Sequence, residues 1–229
     1  MRCLKKISWF LGALLLLSPI LKAQPEAGRE SQDEAYLKVA TQRAEKIVST
    51  LGISDSSRFN QVRKLVAGQY AALNQLQTVH DAQVKDLKNT AASDKAATDA
   101  RLKSMDEENS ARLDELHKKY LASLGSLLTP EQVAQVKDGM TYGVLPITYK
   151  GYLAMLPGLT GVQKDQIMTW LTEAREHAMD AGSSEAKHGW FGKYKGRINN
   201  YLSAQGYNMK QASDEYARKI REEAAAKKQ

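Results

Sequence analysis

Between Val62 and Leu127 large apolar residues recur every three or four positions, and that spacing commits the chain to α-helix. Val62, Val66, Leu73, Leu76, His80, Val84 and Leu87 fall on one face. Leu102, Met105, Asn109, Leu113, Leu116, Tyr120, Leu124 and Leu127 form a second series. Between the two series, Thr90 to Ala100 (TAASDKAATDA) carries small and polar residues but no apolar stripe. Ser93-Asp94 is suited to close one helix and cap the next. The economical reading is an antiparallel hairpin with arms of ~25 residues, hence ~40 Å each at 1.5 Å per residue. A single continuous helix is the alternative, and it needs a partner to cover it. Upstream, Leu37, Ala40, Ala44, Ile47, Val48 and Leu51 keep the same period, with Gly52 where a helix C′ glycine belongs. Alternating β-branched runs do not occur. The expected fold is therefore all-α, a long antiparallel helical hairpin plus a C-terminal bundle of shorter helices.

The first 23 residues read as an address. Arg2, Lys5 and Lys6 precede an apolar run from Ile7 to Leu21, and Leu21-Lys22-Ala23 ends in a small residue suited to signal-peptidase cleavage. The run of roughly 15 residues is shorter than the ~20 that a spanning helix needs. Cys3 lies ahead of the apolar run, so it is no lipoprotein acceptor. Export to the periplasm or beyond is the expectation, with no transmembrane segment left after cleavage. Residues 24–34, polar and holding Pro25 and Gly28, read as a disordered leader.

Cleavage also changes the charge. The chain has 33 Lys and Arg against 26 Asp and Glu, a formal +7. Four of those cations (Arg2, Lys5, Lys6, Lys22), none of the acids and the single cysteine lie in residues 1–23, which leaves +3. A mature chain without cysteine has no disulfides and depends on its apolar core. The remainder divides at about residue 128. Residues 35–127 read as an N-terminal helix and the long hairpin, and residues 128–229 as an aromatic, basic helical region. Gly139 to Gln229 holds ten aromatic residues and a net charge of +4, against four aromatics and −1 over residues 24–138.

Two segments, Leu128-Thr129-Pro130-Glu131-Gln132 and Leu159-Thr160-Gly161-Val162-Gln163, share the pattern LTxxQ. Each is a capping box: the Thr hydroxyl accepts the N3 amide and the N3 Gln reaches back. Ile53-Ser54-Asp55-Ser56-Ser57 is a degenerate third copy. The pattern resembles the LTxxQ motifs of the periplasmic Spy and CpxP chaperones. A denser resemblance runs through LTPEQVAQVKDGMTYG (Leu128 to Gly143), ITYKGYLAMLPGLT (Ile147 to Thr160) and EAREHAMDAGSSEAKHGWFGKYKGRINNYLSAQGYN (Glu173 to Asn208). These segments resemble the bacterial domain-of-unknown-function family numbered 3826, made of secreted proteins from Bacteroidota. The resemblance implies a periplasmic or surface-facing helical protein associated with polysaccharide-degradation gene neighbourhoods. It carries over no catalytic residue.

Two constellations carry possible chemistry. Glu173, Glu176, His177 and Asp180 lie three or four residues apart on one helix, so Glu173, His177 and Asp180 form a candidate metal set. Surface ion pairing is the plainer reading of these four. From Lys187 to Arg197 four cations interleave with aromatics and no acid intervenes. Gly189, Gly192 and Gly196, each costing about 1 kcal/mol against alanine in a helix, predict a close approach by a helix or ligand. The candidate ligand-binding set is Lys187, His188, Trp190, Tyr194, Lys195, Arg197 and Asn200. Aromatic faces suit sugar rings, and Arg197 suits a carboxylate. Tight helix packing with a solvated lysine fringe is the structural alternative. His80 and His117 are expected to be packed or interfacial.

The expected function is a non-catalytic binding module for anionic oligosaccharides or for an exported, glycan-processing protein partner. A Spy-like chaperone and a helix-borne metal hydrolase are the alternatives. No cofactor is implied. Nucleic acid is disfavoured by export, by the small mature charge and by the absence of a recognised motif.

Overall fold

The computed structural model describes residues 26–90 and 94–226, with side chains from Glu34 onward. The export segment expected over residues 1–23 lies outside the described residues. Eight helices and no strand occur among the described residues. They are α1 (Glu26–Val48), α2 (Ser56–Thr90), α3 (Lys95–Leu127), α4 (Pro130–Met140), α5 (Val144–Met155), α6 (Gly161–Met179), α7 (Ser184–Ala204) and α8 (Met209–Ala226).

The leader expected over 24–34 differs from what is found, because α1 starts at Glu26. Apart from Gly28, the run from Glu26 to Asp33 is compatible with a helix. α1 ends at Val48, and the turn that follows it closes on Gly52, whose φ of +67° is the left-handed conformation expected of a glycine there.

The hairpin forms from α2 and α3, which pack along each other. Asp94 caps α3 by accepting the Ala97 amide at 3.1 Å. The arms run to 35 and 33 residues, about 50 Å each at 1.5 Å per residue. They exceed the expected length because alanines in the small, polar stretch join α3 rather than a loop. The predicted faces point inward, with Val62, Val66, Leu73, Met105, Tyr120 and Leu124 buried. His80 meets Asp106 across the hairpin at 3.0 Å.

Two apolar cores result. The first joins α1, the bases of α2 and α3, and α4. The second is built from α5, α6 and α7, with Met209 and Ala212 of α8 against its edge. Met179, at the end of α6, packs into the first core and ties the two together. Gly139 allows α4 to lie on α1, since a Cβ there would sit 2.8 Å from Ile47.

Both LTxxQ segments form complete capping boxes, and their leucines are buried. Each glutamine also reaches a second helix end. Gln132 donates to the Leu51 carbonyl beyond α1 at 2.8 Å. Gln163 donates to Gln205 Oε1 at 3.1 Å and accepts from the Tyr207 hydroxyl at 3.1 Å. The degenerate copy also caps, with Asp55 accepting the Arg58 amide at 2.9 Å. Thr160→Ala should cost about 1 kcal/mol, as a lost N-cap does. Gln163→Ala should cost roughly twice that, because the inter-helix bonds go with it. Equal costs in urea unfolding would show that the bonds to Gln205 and Tyr207 add nothing.

Candidate functional site

The candidate ligand residues separate along α7. Trp190 stacks on His177 of α6 with ring centroids 4.4 Å apart, and the Lys193 ammonium lies 5.0 Å from the Trp190 ring centre. Tyr194 is buried beside the same histidine, and burial, then Glu173, push its phenol pKa upward. Arg197 lies 4.5 Å over Trp170 and pairs with Glu173 at 3.6 Å. These contacts make an aromatic and cationic seam between α6 and α7. Lys195 and Asn200 are exposed on α7. The expectation of a close approach at the glycines is corrected. A Cβ on Gly189, Gly192 or Gly196 would meet nothing within 4 Å, because all three lie on the open side of α7.

The metal set also separates. Glu173 faces Arg197, His177 stacks on Trp190, and Asp180 turns to α3. Among the described residues no group of three or more His, Cys, Asp or Glu is placed to hold a metal ion. Glu176 and Asp180 instead join a charge-balanced cluster where α3, α4 and α6 meet. His117 Nδ1 lies 2.8 Å from Asp180 Oδ2, and Nε2 lies 3.6 Å from Glu176 Oε2. The shorter contact is a charge pair rather than an aligned hydrogen bond, so His117 Nδ1 and Asp180 Oδ1 stay unpartnered. Lys137 donates to Glu176 at 2.7 Å and Arg175 to Asp138 at 2.9 Å. The two carboxylates raise the His117 pKa to about 9 against the cost of burial. Burial pushes Glu176 up, but His117, Lys137 and Arg175 outweigh it and bring its pKa to about 2.

Lys187 leads to a different place. It is buried, and its ammonium donates to the Ala178 and Met179 carbonyls at 2.8 and 2.9 Å, the last turn of α6. That position suits a cation, since the negative end of the helix dipole points there. Burial lowers its pKa to about 8, with Arg43 adding to the shift and Asp180 opposing it.

Above Lys187 opens a cavity of about 210 Å³ between α1, α2, the α4–α5 turn and the start of α7. Arg43, Tyr36, Tyr70 and Tyr142 line it with Lys187, and Ser183, the N-cap of α7, forms part of its wall. Among the described residues no carboxylate lines it. Burial raises the Tyr70 pKa to about 12 and raises that of Tyr36 as well, so both phenols stay protonated. The Tyr36 hydroxyl donates to the Tyr70 carbonyl at 3.3 Å. Gly182 brings the α6–α7 loop against α2, since a Cβ there would lie 2.8 Å from Gln77.

Tyr142 marks the cavity most clearly. Its φ is +60°, the one positive value on a non-glycine residue among those described. Tyr142 is the C′ residue of the Schellman turn that ends α4, with its amide on the Gly139 carbonyl at 3.4 Å and the Gly143 amide on the Asp138 carbonyl at 2.8 Å. That position usually falls to glycine, and a left-handed conformation costs a bulky residue about 1 kcal/mol or more. Tyr142 is 50% exposed and stacks on His188 at 5.5 Å. Sequence reading missed Arg43, Tyr36, Tyr70 and Tyr142. The sequence offers one local signal, the turn glycine Gly143, whose φ is +65°.

Residues 37–222 match the family described as Protein of unknown function (DUF3826). The chain belongs to that family. The match takes in every residue that lines the cavity except Tyr36. Comparison with the curated proteins finds no match.

Proposed function

We propose that this family member is an exported, non-catalytic module that holds one unit of an anionic glycan, a uronate, in the Arg43–Lys187 cavity. One observation carries the reading: among the described residues two cations and three phenols line the cavity and no carboxylate does. Phenol rings suit the faces of a sugar ring, and a guanidinium matches a carboxylate with two parallel hydrogen bonds. The volume of about 210 Å³ lies below the ~300 Å³ at which drug-sized sites begin, which fits a single sugar unit. The site lies at the junction of the two cores, a common position for ligands. The non-catalytic reading is supported by the commitment of Glu176 and Asp180 to His117 and Lys137. Export rests on the basic and apolar pattern of residues 1–23.

Affinity electrophoresis through polygalacturonate compares the cavity with the α6–α7 seam. Arg43→Ala should lose retention and Arg197→Ala should keep it. Both arginines are exposed at the surface, so both variants should fold. Retention by Arg43→Ala, or none by the unaltered protein, overturns the assignment.

A further inference from the structure

A second, open cavity of about 250 Å³ lies further along α7, between α5 and α8. Its wall includes Tyr152 and Met155 of α5, Lys195 and Asn199 of α7, and Met209 and Tyr216 of α8. The Tyr152 hydroxyl donates to Asn199 Oδ1 at 2.7 Å, which fixes that amide and leaves its NH₂ group to donate. One cation and no acid line the space. Two aromatic rings and two polarizable thioethers supply its apolar surface, a combination that favours a flat aromatic guest.

The α8 helix gives the cavity its outer wall. It buries none of its own residues, and it rests on the second core through Met209 and Ala212. Met209, Ser213 and Tyr216 follow at helical spacing and face the cavity together.

We infer that this cavity is a binding site for a small aromatic carboxylate, with the ring between Tyr152, Met155, Met209 and Tyr216 and the carboxylate on Lys195 and Asn199. A volume of about 250 Å³ holds a one- or two-ring molecule, somewhat below the drug-sized range of ~300–1,000 Å³. The charge of the site selects an acid over its neutral analogue. None of its six named residues lines the Arg43 cavity, so the two sites are independent.

Calorimetric titration of the full chain with 2-naphthoate and with neutral 2-naphthamide tests the assignment. Naphthoate should bind saturably at one site with Kd under ~1 mM, and the amide about tenfold more weakly. Lys195→Met keeps the stem and removes the charge. It should weaken naphthoate about tenfold and leave the amide unchanged. Tyr216→Ala should weaken both, while polygalacturonate retention persists in each variant. No saturable naphthoate binding overturns the inference, as does Lys195→Met binding naphthoate as tightly as the unaltered protein.

Discussion

His117→Ala should destabilise the fold by about 2 kcal/mol at pH 6, less than the ~3–5 kcal/mol of removing one partner from a fully buried ion pair because the cluster is partly exposed. The imidazolium is 19% exposed and faces Glu176 and Asp180, which its loss leaves with two cations for three carboxylates in that cluster. The sign of the pH dependence follows from its raised pKa. The folded value of about 9 exceeds the ordinary 6.5, so His117 stabilises fully below 6.5 and progressively less as pH rises through 9. Glu176 acts in the opposite sense at acid pH. Its stabilisation is complete above 4.5 and is lost as pH falls through about 2. Lys187, with a folded value lowered from 10.5 to about 8, makes stability rise with pH over that interval. The interval from 6.5 to 8 therefore isolates His117. Urea unfolding at pH 6, 7 and 8 should show the wild type losing stability and His117→Ala changing little. Parallel curves would mean that the histidine is neutral and the cluster is held by Lys137 and Arg175 alone.

Tyr142→Gly should separate stability from binding. Glycine adopts a φ of +60° without the penalty that tyrosine pays, so the backbone gains about 1 kcal/mol. Loss of the half-exposed stack on His188 returns about half of that. The variant should unfold at an equal or slightly higher temperature, yet bind polygalacturonate at least tenfold more weakly. The opposite pair of results, intact binding and a lower melting temperature, would make Tyr142 a packing residue and remove the reason for its strain.

The helices were largely legible because apolar spacing reports one face at a time, and the caps because they are local. Asp94, Thr129 and Thr160 each act on an amide three residues ahead. The glycines of α7 were misread for the same reason. Periodicity shows that Gly189, Gly192 and Gly196 share a side of the helix but not whether that side meets protein or water. The cavity was harder still to see. Arg43 lies on α1 and Lys187 on α7, 144 residues apart in sequence, and no spacing rule connects them. Tyr142 takes the left-handed position of the Schellman turn that ends α4, where glycine is the usual residue and tyrosine gives no sequence signal. Lys187 was picked out as a basic residue in an aromatic run, yet its role is set by the carbonyls that end α6. The ion cluster drew on Glu176 and Asp180, which sequence placed together, and on His117 and Lys137, which it did not.

The central claim is that the Arg43–Lys187 cavity, and not the Trp190 seam, receives the sugar acid. A crystal structure of the protein with trigalacturonate tests it most directly. A terminal sugar ring should lie against Tyr142 with its carboxylate on Arg43. A sugar seated along Trp190, Tyr194 and Arg197, with the cavity empty, would contradict it.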